Sequence, residues 1–296
     1  MGRACLPSPF LASTWAATLI ANTPNEALKE KYLPSLSLGE SIATVALLEE
    51  DPAWDIKTVQ LKAETSDAGL VLNGSKHQVL DAAAANLYLI IARMDGNLVV
   101  AAVSSDAEGL TISPTPAIDP TRRYYRIDLK NVKVDSRQIL AEGTAAERAV
   151  EASLQTGALL ACADMIGGMQ WVLETTVEYA QVRQQFDKPI GSFQAVQHQC
   201  ADMLLMTESA RSATYYAAWA LHENDPAGAR GLNTAKAYCS EAARRVGNSG
   251  IQIHGGIGFT WEHDLHLFFK RAKASEFLFG DPTFHRERLA RSLLDG

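Results

Sequence analysis

Cysteine is scarce in this chain: four in 296 residues, Cys5, Cys162, Cys200 and Cys239, with no CxxC pair among them. Zinc clusters and disulfide frameworks depend on close spacing, so neither is supported, and reduced thiols in a cytoplasmic protein are the plain reading. No apolar run reaches the length of a membrane crossing. Basic charge is not in surplus either. The 27 Lys and Arg stand against 34 Asp and Glu, for a net charge of −7, which argues against nucleic acid or an anionic membrane as the main partner. The start, MGRACLPSPFLASTWAATLIANT, has an apolar stretch from Phe10 to Ala21. Its single early Arg, and Pro7 and Pro9 at the entrance, suit a buried helix better than a secretory leader. Internal repeats and low-complexity tracts are missing as well.

What remains is an ordinary globular composition, 47% hydrophobic and 21% charged, long enough for two domains with a real core. Three textures follow one another. Residues 1–40 read as helical, with Ser13 or Thr14 as a cap, Pro24 opening a second helix and Gly39 closing it. Residues 41–143 carry short β runs. Val59, Leu61 and Ala63 alternate with polar residues, and Asn73-Gly74 and Asp95-Gly96 separate pairs of apolar runs as hairpin turns would. YRIDLKNVKV adds a further alternating run, and the whole suggests a small antiparallel barrel or sandwich. From 144 to 296 the period becomes helical. Val150, Leu154, Ala158, Ala161, Met165, Gly168 and Val172 form one apolar face, and Met203, Met206, Ala210, Ala213, Ala217 and Leu221 form another. Further helices are expected over 231–249, from Leu265, and after Pro282, which together make a bundle.

Two segments carry the chemistry. In IQIHGGIGFTWEHDLHLF, the residues His254, His263 and His266 lack a closed ligand set or an HExxH signature, so a metal site is rejected in favour of surface or capping histidines. Gly255, Gly256 and Gly258 suit either a phosphate-cradling turn or a helix cap, and spacing alone does not choose. Upstream, YAQVRQQFDKPIGSFQAVQHQCADM offers Arg183 as a fixed cation for phosphate, Phe186 as a flat apolar surface, and Gln194 at the start of a helix.

With these two segments together, the sequence resembles the acyl-CoA dehydrogenase family, along essentially its whole length. TVALLEEDPAWDIKTVQLKAE and LNGSKHQVLDAAAANLYLIIAR look like the family's middle-domain strands, and RQQFDKPIGSFQAVQHQCADM and QIHGGIGFTWEHDLHLFFKRAK like its two carboxy-terminal signatures. The resemblance implies an α+β fold: a short remnant of the amino-terminal helical domain (1–40), a middle antiparallel β domain (41–143) and a carboxy-terminal four-helix bundle (144–296). Most of the family's first helical domain is expected to be missing. It also implies FAD between the β domain and the bundle, with Arg183, Phe186 and Gln194 touching a neighbour's FAD and Gln252, Gly255 and Gly256 along its pyrophosphate. On that reading HGGIG is a cofactor turn and its histidines are incidental.

The reaction implied is removal of an acyl-CoA α-proton by a carboxylate as the β-hydride passes to flavin, giving the 2,3-enoyl-CoA. Electrons then pass to an electron-transfer flavoprotein, in fatty acid or lipid catabolism. The family's usual base position is Phe279 here, and the alternative position on the first bundle helix is Gly157. Asp281 is the nearest carboxylate; it reads both as a base and as a helix cap before Pro282. Leu48 and Leu80 replace threonines expected near the flavin ring, and Gln78 replaces an aromatic that shields it. Two functions therefore stand. One is an acyl-CoA dehydrogenase with Asp281 as its base. The other is a non-catalytic partner subunit of a hetero-oligomeric dehydrogenase. Either a homo-oligomer or a hetero-oligomer with a homologous subunit is expected, without nucleic acid or a membrane span.

Overall fold

The computed structural model describes residues 1–294. It forms two compact units. One comprises Ser8–Ala117 and Arg122–Gly157; the other comprises Met1–Pro7, Ile118–Thr121 and the chain from Ala158 on.

In the first unit, α1 (Phe10–Ala21) buries Ala12, Trp15, Ala16, Leu19 and Ile20, and the Trp15 indole donates to Ser153 Oγ at 3.2 Å. Ser13 and Thr14 are not caps. The helix starts earlier, directly after Pro9, whose fixed φ suits a helix entrance. The second helix, α2 (Glu26–Leu38), is capped by Asn25, whose side chain accepts from Leu28 N, rather than opened by Pro24; Gly39 closes it at φ 73°.

Eight strands follow: β1 (Ala43–Ala46), β2 (Lys62–Ser66), β3 (Gly69–Leu80), β4 (Leu87–Met94), β5 (Asn97–Ser104), β6 (Leu110–Thr115), β7 (Tyr124–Asp135) and β8 (Ile139–Glu142). They form one sheet in the order β6-β7-β3-β2-β4-β5-β8, with β1 beside β4. The pairing is antiparallel except that β1, and one residue pair of β2, run parallel to β4. Val59, Leu61 and Ala63 are buried as their alternation requires. Asp95 and Gly96, at φ 49° and 83°, link β4 to β5 in the two-residue turn that dipeptide favours.

Asn73-Gly74 is not a turn. β3 runs straight through it, and the register against β7 shifts between Leu72 and Gly74. The extra residue lies on β7, where Asn131 takes φ 52° and donates its backbone N–H to Asn73 Oδ1 at 2.8 Å. Gly74 is needed for space and conformation, because a Cβ there, at φ 137°, would stand 2.5 Å from Leu61 Cδ1.

Helix α3 (Gly143–Val182) begins in the first unit and continues into the second, which adds α4 (Gln194–His222), α5 (Gly228–His254), α6 (Leu265–Phe277) and α7 (Pro282–Leu294). Its core includes Met165, Met169, Val172, Met203, Ala210, Cys239, Val246 and Phe268. On α4 the buried row also takes in Thr207 and Thr214, polar residues that a search for apolar periodicity passes over. By length and composition α3 could cross a bilayer, contrary to the expectation that no run is long enough; half of its apolar window is buried in the fold, as in the core helix of a globular unit. The amino-terminal residues are tied in by Arg271 of α6, whose guanidinium donates to Thr121 Oγ1 at 2.9 Å and to the carbonyl of Leu6 at 3.1 Å.

Candidate functional site

The link from α3 to α4 is a tight hairpin. Gln184–Gln185 pairs with Lys188–Pro189, and Phe186 and Asp187 at its tip take φ 55° and 63°. The amide of Arg183 bonds back to Tyr179 O at 2.9 Å, and its carbonyl accepts from Ile190 N at 2.8 Å. A Cβ on Gly191 would come 2.9 Å from Ala180 O, so the returning strand lies directly on the end of α3. Phe186 is 85% exposed and meets Phe193 edge-on at 6.1 Å. Gln194 is the first residue of α4, where backbone amides lack helical partners.

The second segment starts where α5 stops. Gly255, at φ 64°, caps His254, its N–H reaching back to Gln252 O and Ile251 O, so the helix-cap reading of this glycine is met. A Cβ at Gly255 or Gly256 would find no atom within 4 Å, whereas Gly258 is packed against Ile251 and His254. The first two glycines thus face open space and the third serves packing.

One contact joins the segments. The Tyr179 ring stacks on His254 with centroids 4.3 Å apart, and its hydroxyl donates to His254 O at 3.4 Å. Arg183, Phe186 and Gln194 are thereby gathered at the same end of the helical unit as Gln252, Gly255 and Gly256, and all six are exposed. Exposed Val182, Phe259 and Trp261 border them. A guanidinium, a bare aromatic face, the start of a long helix and a glycine turn with open space suit a ligand that is anionic along one part and aromatic along another. These residues therefore fit the phosphates and rings of FAD.

The histidines are not simply surface residues. His254 is buried with Nδ1 2.8 Å from Gly250 O, and burial pushes its pKa down; Nε2 is buried without a partner. His266 is buried as well, with its pKa lowered first by burial and then by Lys270. His263 does cap, its Nδ1 accepting from Leu265 N at 3.1 Å.

At the other end of α6 stands the loop into α7. Asp281 Oδ1 accepts from Phe284 N at 2.7 Å, a helix cap with Pro282 as the first helical residue. Phe279 is 2% exposed and lies at φ 59°, followed by Gly280 at 101°. Two residues that periodicity did not flag hold this loop, Lys236 of α5 and His285 of α7. Lys236 Nζ donates to Gly280 O at 2.7 Å and to Glu276 O at 3.1 Å, and His285 Nε2 lies 3.0 Å from Phe279 O. The signal was present in sequence: Lys236 falls on the stripe Leu232, Cys239, Ala243, Val246, all of it buried.

In the first unit Leu48 and Leu80 are buried apolar residues without a hydroxyl to offer. Gln78, at φ 50°, sits exposed at a second register shift of β3. Gly157 is buried within α3 and brings no carboxylate.

The family model of the acyl-CoA dehydrogenase C-terminal domain matches residues 147–294. The chain is 34% identical to acyl-CoA dehydrogenase IpdE2 of Mycobacterium tuberculosis, over 98% of its own length and 73% of that protein. It superposes on a structure of PigA with FAD and proline with a TM-score of 0.91, at 28% identity over 97% of this chain and 77% of that one. Against the ChsE4–ChsE5 complex of Mycobacterium tuberculosis the TM-score is 0.90, at 29% identity over 100% of this chain and 78% of that one. The chain belongs to the acyl-CoA dehydrogenase family.

Proposed function

We propose that this chain is a subunit of a FAD-dependent acyl-CoA dehydrogenase, acting in the cytoplasm on an acyl-CoA and yielding the 2,3-enoyl-CoA. The observation that carries the reading is the exposed cluster at one end of the helical unit. Arg183, Phe186 and Gln194 would hold a neighbouring subunit's FAD, and Gln252, Gly255 and Gly256 would line its pyrophosphate. When bound, FAD supplies the acceptor for the hydride lost from the acyl β-carbon. The electrons then leave to an electron-transfer flavoprotein, and the likeness to a structure of the electron transferring flavoprotein of Acidaminococcus fermentans, at 25% identity, supports that partner. Asp281 would accept the α-proton, since it is the carboxylate nearest the usual base position.

A second reading is favoured by two particular residues. Phe279 fills the usual base position with a buried ring, and Asp281 already spends one oxygen on the cap of α7. On that reading the chain is a non-catalytic partner that lends its half-site to a homologous, base-bearing subunit, and the two-component ChsE4–ChsE5 complex supports such an assembly. The visible spectrum of the chain purified alone, followed anaerobically with a panel of acyl-CoAs, decides between them. A yellow protein that bleaches supports the first reading. One that stays yellow supports the second, and a colourless one that turns yellow only with a homologous subunit does so more strongly. A chain that takes up no flavin in either setting overturns both.

A further inference from the structure

The loop Leu278–Asp281 between α6 and α7 has a backbone that does not hold itself. Phe279 is a non-glycine residue in the left-handed region, at φ 59°, which costs on the order of 1 kcal/mol without support. A Cβ on the next residue, Gly280, would stand 2.4 Å from Phe284 Cδ1. Support comes from three carbonyls, those of Glu276, Phe279 and Gly280, each met by a side chain from a packed helix. Building on the function proposed above, we propose that Lys236 and His285 are positioning residues: together they fix the backbone that presents position 279, the family's base position, to the acyl substrate.

The donor and acceptor inventory fits this role. Lys236 is fully buried and its Nζ meets Ser240 Oγ, Glu276 O and Gly280 O. As an ammonium it donates to all three. As a neutral amine it donates to the two carbonyls and accepts the Ser240 hydroxyl proton. Burial lowers its pKa to about 8, against the pull of Cys162, Cys239, Asp281 and Glu276, and the clamp is satisfied on both sides of that value. For His285, Phe279 O can only accept, so Nε2 carries the proton. Its Nδ1 stands 2.8 Å from Asn233 Oδ1, and a neutral ring that accepts there requires the Asn233 amide turned over, so that its NH₂ donates to Nδ1. Burial first, then Lys236, pushes the His285 pKa down to about 4, which keeps this neutral arrangement at ordinary pH. The anchors are rigid because Lys236 and Asn233 both stand in the buried face of α5.

Hydrogen exchange on the full chain reads the loop directly and needs neither flavin nor turnover. In K236M the amides of Gly280, Phe284 and His285 should exchange roughly tenfold faster, with α3 and α4 unchanged. H285Q, whose amide can still donate to Phe279 O and accept from Asn233, should keep near-native exchange, whereas H285L should not. No change at the loop in K236M, or an equal rise across the whole unit, overturns the proposal. Kinetics are read in a chain that turns over, wild type or F279E: adding K236M should lower kcat about tenfold with KM nearly unchanged, and an unchanged kcat also overturns it. If neither chain turns over, the proposed activity fails while the exchange result still decides the clamp.

Discussion

Asp281 is a single carboxylate with two candidate duties, and two substitutions separate them. Its Oδ1 takes the Phe284 N–H at the start of α7, a bond worth about 1 kcal/mol at a helix N-cap. D281A should therefore lower stability by roughly that amount in a urea melt. Asparagine caps about as well as aspartate but cannot take a proton from carbon, so D281N should melt like the wild type. If Asp281 is the base, D281N stops acyl-CoA bleaching while its melt is unchanged. A D281N chain that bleaches at the native rate limits Asp281 to the cap.

Local signals were legible at the level of elements, and non-local ones were not. Asp95-Gly96 is a hairpin because both flanking strands lie within a few residues of the turn. Asn73-Gly74 has the same chemistry, but an extra residue on β7, some 58 positions away, makes it a bulge. The segments Arg183–Gln194 and Gln252–Gly256, proposed above to hold FAD, could be picked out from sequence because each is continuous. The clamp could not, since Lys236, Glu276 and Gly280 meet only when α5, α6 and the loop after it are packed. A lysine set in an apolar helical stripe was the one local clue to it.

The same packing gives α7 a pH dependence. His285 titrates near 4 in the fold against an ordinary value of 6.5, lowered by burial, Lys236 and Arg288 and opposed by its bond to Phe279 O and by Asp281. A depressed folded pKa means that the unfolded chain binds the proton first. The stability contribution is therefore complete above 6.5 and is lost as pH falls through 4. Between pH 7 and pH 5 this amounts to roughly 1–2 kcal/mol, and His254 and His266, shifted the same way, add to the slope. Urea melts at the two pH values should show H285Q losing less stability than the wild type; equal losses would mean that His285 is not held neutral by the fold.

Across the whole molecule, flavin binding and self-association should be one equilibrium. The six residues assigned to FAD are exposed, and Val182, Phe186, Phe259 and Trp261 leave apolar surface beside them. If these residues serve a neighbour's cofactor, a ligand held by two subunits binds the assembly and not the monomer, and it must tighten the assembly by the same factor by which assembly tightens it. Sedimentation velocity at micromolar chain should then show FAD shifting the population toward the larger species. R183A should weaken both effects together, by roughly tenfold each if the guanidinium pairs with a phosphate, while its far-ultraviolet circular dichroism stays native. Flavin bound tightly by a species that remains a monomer would place these residues outside the FAD site, and would return the exposed hairpin at Phe186 to the status of a surface loop.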